Sequence, residues 1–365
     1  MKEQAAVRRH RVHGSVPLND RQRFEREGRP LLDLSANVSP YGAAPVVIEA
    51  LRQVELGVYP DPRCWAARQA VEARFGVSAS QVAVGNGAAE LIWTTVRALL
   101  AQGGRALEVR PIFGEFSAAV AACGAPLEVF HALEQDDFRY SMAGLDMRLR
   151  EVGPRVCYLC SPNNPTGVPL PFAEVTDLAK RHPDTVFLLD QAYLGLSPRF
   201  QELELLPPPN VICLRSLTKE QGLPGVRVGY LIAAEEIVGK LDQHRASWMV
   251  NTMAQAVVEA AMADPAEHVA SVRTRMMADR ARLEGLLVAA GFETVPGESP
   301  FVLVGVEDPA ALCAYLLHEH GIAIRNCASF GLLRHVRFSS VQEHNAPRLA
   351  HALQGWREGA GLGTS

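Results

Sequence analysis

The sequence predicts an α/β fold: a large unit with a mostly parallel central sheet flanked by helices, followed by a smaller α+β unit. Three observations carry that prediction. The chain has 365 residues, more than a single ordinary core accommodates. Short apolar runs alternate with helical patterns from about residue 81 onward, the pattern of strands layered against helices. Several of those runs, RVCYLC (155–160) and TVFLLD (185–190) among them, are apolar almost throughout, as strands covered on both faces are.

Along the chain, residues 1–45 are expected to form an N-terminal segment that joins the smaller unit, 46–245 the large unit and 246–365 the smaller one. Asp61 suits a helix cap, Pro62 the first helical position and Gly76 the helix end. QVAVG (81–85) reads as a strand and 88–101 as the helix after it. RALEVR (105–110) is a strand, followed by a helix through Cys123 that Gly124 closes. LEVFHA, RVCYLC, TVFLLD, VICLRS and VRVGYLI continue the strand series. The pattern then turns helical near 234–245, 250–263 and 266–290. FVLVGV, IAIRN and VRFSS supply short strands before a final helix.

Composition excludes several function classes. The formal net charge is -4, so no basic face for nucleic acid is expected. Arg8, Arg9, His10 and Arg11 read as a solvated arm. No apolar run approaches the roughly 18 residues needed to cross a bilayer, and the N-terminus lacks the apolar centre of a signal peptide. A cytoplasmic protein with no membrane partner is therefore expected. The seven cysteines are odd in number and scattered. Cys157 and Cys160 form a lone C-x-x-C on a strand, where they point to opposite faces, so no metal site is expected there.

Four segments carry chemistry. In SLTKEQGLPGVRVGY (216–230), Lys219 stands at the end of a strand and can form an imine with an aldehyde. Ser216, Thr218 and Arg227 could hold a phosphate nearby. In LLDQAYLGLS (188–197), Asp190 ends an apolar strand, where open α/β sheets bind ligands. A carboxylate there can pair with a protonated pyridine nitrogen, and Tyr193 can hydrogen-bond a ring hydroxyl. In CSPNNPTGVP (160–169), Asn164 can donate to the same ring oxygen. In VGNGAAELI (84–92), the glycines free the backbone just before a helix, so the amides of Ala88 and Ala89 could grip a phosphate. This last segment fails as a dinucleotide fingerprint, because Glu90 stands where the third glycine belongs.

In this order and spacing the segments resemble the class I/II aminotransferase superfamily, of the fold type I that binds pyridoxal 5′-phosphate. Within it the chain is most similar to histidinol-phosphate aminotransferases and threonine-phosphate decarboxylases. SANVSPYG (35–42), VYPDP (58–62), PIFGEF (111–116), SPNNPTG, DQAY, SLTK and VRFS carry the likeness. The resemblance implies that Lys219 is the Schiff-base lysine and proton shuttle and that Asp190 faces the pyridine nitrogen. It implies Asn164 and Tyr193 on the ring hydroxyl, Phe113 on the ring face, and Ala88, Ala89, Ser216, Thr218 and Arg227 on the phosphate. Tyr59 would reach the phosphate of a neighbouring subunit, which implies a homodimer with shared active sites. Arg337 would pair with the substrate α-carboxylate and Asn37 would lie near the substrate. His13, in a segment only partly matching the family's His-Gly-Gly, and Arg325 would meet an anionic or phosphorylated side chain.

The expected activity is transamination of an amino acid. Decarboxylation of the threonine-phosphate type, or a specialised oxidation, cyclisation or elimination, is the alternative on the same scaffold. Two positions depart from the family. Gln191 replaces the usual glutamate of DEA, and Glu220 follows the lysine where an aromatic or small residue is common. The Glu220 carboxylate is expected to face solvent.

Overall fold

A computed structural model describes residues 16, 18–263 and 267–359. His13, the basic arm and the last six residues lie outside the described residues. The chain begins with α1 (Leu18–Arg26), β1 (Leu32–Asp33), α2 (Pro45–Arg52) and α3 (Trp65–Phe75). There follow β2 (Val82–Gly85), α4 (Ala88–Leu100), β3 (Ala106–Arg110), α5 (Glu115–Ala122), β4 (Leu127–His131) and α6 (Met142–Val152). Then come β5 (Val156–Cys160), α7 (Phe172–Arg181), β6 (Val186–Asp190), β7 (Val211–Arg215), the one-turn α8 (Leu217–Glu220) and β8 (Gly229–Ile232). Three helices, α9 (Glu235–Gln243), α10 (Thr252–Ala263) and α11 (Glu267–Ala289), lead to β9 (Phe301–Gly305) and α12 (Pro309–His320). The end of the chain holds β10 (Ile322–Ala323), β11 (Arg325–Asn326), β12 (His335–Ser339) and α13 (Ala346–Gly359).

Seven strands form the main sheet in the order β2-β8-β7-β6-β5-β3-β4. The five from β7 to β4 run parallel, while β8 lies antiparallel to both its neighbours. All residues of β5 and β7 are buried, because helices cover both faces. On one face, Leu91, Ile92 and Val96 of α4 and Phe116 of α5 pack with Tyr158 and Cys160. On the other, Leu145 of α6 and Val175 and Leu178 of α7 pack with Cys157 and Leu159. The two cysteines of the C-x-x-C thus belong to different cores, as strand alternation requires. A second sheet, β11-β12-β9, is antiparallel and packs with α11, α12 and α13. β1 pairs parallel with β10, joining the start of the chain to its last part.

Several elements differ from the sequence reading. The helix after Asp61 starts at Trp65, so Pro62 precedes it instead of opening it. Cys64 takes a left-handed conformation, and Asp61 caps the turn by accepting from the amides of Arg63 (2.9 Å) and Trp65 (2.6 Å). Gly76 does end the helix, in the left-handed conformation that favours glycine. VRVGYLI becomes a strand only from Gly229, because Arg227 has a positive φ that breaks the extended run. IAIRN divides in two, with β10 pairing to β1 and β11 to β12. Helix α10, which a boundary at 245 assigns to the smaller unit, shares its core with β2, β8 and α3 of the large sheet.

Candidate active site

The carboxyl ends of the parallel strands bring the chemistry-bearing segments together, since each strand hands the chain to a turn at that edge. A cavity of about 720 Å³ opens there. Lys219, Tyr193, Asn164 and Phe113 line it, as do Ala89 and Arg227. Asn37, Arg325 and Arg337 complete the predicted residues in its wall. Asp190, Ser216 and Thr218 are buried.

Lys219 sits on the single turn of α8, immediately after β7. Its Nζ lies 6.0 Å from the centre of the Tyr193 ring. Burial lowers its pKa to about 8, the guanidiniums of Arg337 and Arg227 add to the fall, and Asp190 opposes it. The lysine is therefore far closer to its neutral, nucleophilic form at physiological pH than a surface lysine. Asp190 ends β6, and burial raises its pKa. Its Oδ1 accepts from the amide of Ala192 at 2.9 Å and its Oδ2 from the Tyr158 hydroxyl at 2.8 Å. Tyr193 packs edge-on against Phe301, and burial pushes its phenol up to about 12. The Asn37 side-chain amide donates to that phenol at 3.4 Å.

The turn between β2 and α4 forms a backbone cradle. Gly87 precedes the helix with φ +83°, and a Cβ there would stand 2.7 Å from the Arg227 guanidinium. The glycine thus lets an arginine approach the first amides of α4, which have no partner within the helix. Gly229 lies so close that its own Cβ would meet the Ala88 nitrogen at 3.0 Å. Ser216 and Thr218 place their hydroxyls 2.8 Å apart on the adjoining turn. Glu90, in the first turn of α4, pairs with Arg245 (2.9 Å) and accepts from Thr94 (2.6 Å).

Arg325 and Arg337 are directly opposed on the antiparallel pair β11 and β12, so their side chains share a face. Both are buried. Burial lowers the pKa of Arg325, and the charge of Arg337 lowers it further. Arg337 donates to Asn164 Oδ1 and to the Ser35 carbonyl (3.0 Å). Arg325 donates to Ser329 Oγ at 2.6 Å. Like charges opposed across strands are unfavourable; an anion between them would remove that cost.

Two predicted features fall elsewhere. Tyr59 is 78% exposed, its ring tilted 35° to that of Trp248 at 4.9 Å, and it does not line this chain's own cavity. Of His13 nothing can be placed, since it lies outside the described residues. Glu220 is only partly exposed and turns its carboxylate inward. Its carboxylate packs against Gly195, where an added Cβ would meet Oε2 at 2.3 Å. Burial raises its pKa to about 7, and Arg215 and Arg273 hold it down. Its neighbour Arg215 is buried and its Nε donates to the neutral Gln191 (3.3 Å), so the positive charges of Arg215 and Arg273 favour the ionised form of Glu220 against its burial. Sequence reasoning missed Arg21 and Asp33, an ion pair that also lines the cavity. It also missed Tyr158. Strand alternation placed that side chain on the Asp190 face, yet nothing in its residue type distinguished it from core.

The described residues suit a pyridoxal-type cofactor. Buried Asn37 Oδ1 and Arg337 Nε both lack a hydrogen-bond partner and belong to cavity-lining residues. The glycine-opened cradle matches a phosphate, and a lysine with a depressed pKa matches an aldehyde. The family model for class I and II aminotransferases matches residues 29–354. The chain is 32% identical over 318 residues to histidinol-phosphate aminotransferase 1 of Thiobacillus denitrificans, covering 85% of this chain and 81% of that one. It superposes on histidinol-phosphate aminotransferase from Sinorhizobium meliloti, solved in complex with pyridoxal 5′-phosphate, with a TM-score of 0.84. That likeness carries 28% identity and covers 95% of this chain and 96% of that one. L-threonine-O-3-phosphate decarboxylase from Porphyromonas gingivalis shares the fold, with a TM-score of 0.77 at 24% identity over 90% of this chain and all of that one.

Proposed function

Because this chain belongs to the class I and II aminotransferase family, we propose that it transfers the amino group of a small donor bearing a phosphoryl or second carboxylate group, with pyridoxal 5′-phosphate as cofactor. The observation that carries the choice of donor is the opposed pair Arg325 and Arg337 beside Lys219 in one cavity. Two guanidinium forks match either two carboxylates or the several oxygens of one phosphoryl group. The histidinol-phosphate aminotransferases that the chain resembles are named for a phosphorylated substrate, which supports the same reading.

When bound, the cofactor supplies an electrophilic aldehyde and an electron-accepting ring. Lys219 is the attachment point and moves the proton at the substrate Cα, a task suited to an amine whose pKa is lowered to about 8. Asp190 holds the proton on the ring nitrogen. Tyr193 and Asn164 hold the ring hydroxyl, and Asn164 keeps its Nδ2 for that purpose because Oδ1 is taken by Arg337. Phe113 covers a ring face. The amides of Ala88 and Ala89, with Ser216, Thr218 and Arg227, hold the phosphate. Arg337 takes the donor's carboxylate, with Asn37 beside it, and Arg325 the second anion; in a donor whose one anion is a phosphoryl group the two arginines share its oxygens. Tyr59 serves the site of a second subunit in a homodimer.

The test is an absorbance titration of the cofactor-loaded protein with single donors. L-Histidinol phosphate, glutamate and phosphoserine are each compared with a neutral analogue. Conversion of the visible band to a near-ultraviolet one, with an oxo product, is expected only with the anionic donors. Equal response to the neutral analogues removes the role given to the arginine pair. Carbon dioxide release without any keto-acid acceptor replaces transamination by decarboxylation.

A further inference from the structure

The geometry points to Tyr158 as a positioning residue that holds Asp190 in its ionised form, acting through that carboxylate on cofactor affinity and turnover. The inference rests on the reading that Asp190 faces the ring nitrogen.

Tyr158 lies on β5 two residues before Cys160, and Cys160 is the register partner of Asp190 on β6. Alternation puts Tyr158 and Cys160 on the same face, so the phenol can reach along the strand to the carboxylate. The 2.8 Å contact makes the hydroxyl the donor to Oδ2, while the Ala192 amide serves Oδ1. Each oxygen thus receives one donor.

Asp190 needs this support. Its burial favours the protonated, neutral form, which could not balance a ring cation. The two hydrogen bonds oppose that drift, with the Tyr158 contact the larger, and the charge of Lys219 adds a smaller contribution. The donor is secure, because burial and the nearby Asp190, Cys160 and Glu108 hold the phenol proton in place. Tyr158 is fully buried and its ring stacks on Phe116 at 4.8 Å between centroids and 15° between planes. The hydroxyl therefore cannot swing away without disturbing the core on that face of the sheet. A phenylalanine keeps the stack and the volume and removes only the donor.

The experiment is a double-mutant cycle of Tyr158→Phe and Asp190→Asn. It reads the dissociation constant of pyridoxal phosphate by cofactor release, the kcat and KM of the amino donor, and the thermal midpoint of the cofactor-free protein. Tyr158→Phe is expected to weaken cofactor binding and lower kcat, each roughly ten- to hundredfold, the worth of a hydrogen bond to a charged group. KM is expected to stay within about twofold, since the donor meets other residues. In the Asp190→Asn background the same substitution should add little. Losses that simply multiply in the double variant overturn the proposal, as does unaltered cofactor affinity in Tyr158→Phe. If Asp190→Asn alone binds cofactor and turns over like the parent, the Asp190 assignment fails instead. A fall in thermal midpoint with no change in cofactor affinity would show a packing role only.

Discussion

Lys219 shows how much one side chain's surroundings decide. Its unfolded pKa is near 10.5 and its folded pKa about 8, chiefly because burial penalises the charged form. Below pH 8 the amine is protonated in both states and the cofactor-free fold bears the whole penalty. Between pH 8 and 10.5 the folded state gives up its proton first, so that penalty shrinks as pH rises. Lys219→Met in cofactor-free protein is therefore expected to be more stable than the parent at pH 7, by on the order of 1–3 kcal/mol after allowing for partial exposure. The advantage should vanish near pH 10.5. Urea unfolding at the two pH values checks this; an advantage that does not shrink would show that the lysine is not held near its neutral form. Lys219, Asp190 and Asn164 were legible in the sequence because their chemistry admits few residue types and their neighbours are distinctive. Glu220 was not: its burial depends on Arg215 and Arg273, the latter some fifty residues away on α11.

At the scale of elements, the site depends on a close fit between β8, β7 and the first turn of α4. A Cβ on Gly229 would stand 2.8 Å from the Arg215 carbonyl and 3.0 Å from the Ala88 amide. Both are backbone atoms that cannot turn aside. Gly229→Ala is expected to cost about 1–3 kcal/mol of stability. It should also weaken cofactor binding, because the amide it displaces opens the phosphate cradle. Gly305→Ala on β9, with nothing within 4 Å of its Cβ, is the control and should change stability by less than about 0.5 kcal/mol. Urea unfolding and cofactor release measure both. The strands and helices themselves were readable, since buried parallel strands leave long apolar runs. Their ends were less so. Cys64 delays α3 and Arg227 delays β8 through positive φ angles, and neither residue type announces that conformation.

At the scale of the whole molecule, Tyr59 and Trp248 stand exposed together, with Leu56 and Val58 also exposed nearby in sequence. In the proposed homodimer this surface is covered and Tyr59 serves the neighbouring subunit. A mixture of Lys219→Ala and Tyr59→Ala chains then yields hybrid dimers with one intact site. Random exchange makes half the dimers hybrid, so activity should recover to about a quarter of the parent's, above the two separate variants. No recovery after verified exchange would place Tyr59 outside a shared site. The strand–helix alternation of the main sheet could be read from the sequence. That the N-terminal segment meets the last part of the chain was expected, but the strand pair that joins them was not readable, because β1 and β10 pair over two residues each.

That short pairing has a consequence for synthesis. Leu32 and Ile322 are about 290 residues apart, so β1 has no strand to join until most of the chain has been made. Asp33 and Asn37, which follow or lie within this stretch, line the cavity together with Arg325 and Arg337 from the far end. During translation the large sheet can complete its strands first, while the wall that meets the substrate stays open. The cavity is then the last compartment to close, and a chain halted before residue 322 carries Lys219 with most of its surroundings but without the wall that Arg325, Ser329, Phe330 and Arg337 supply.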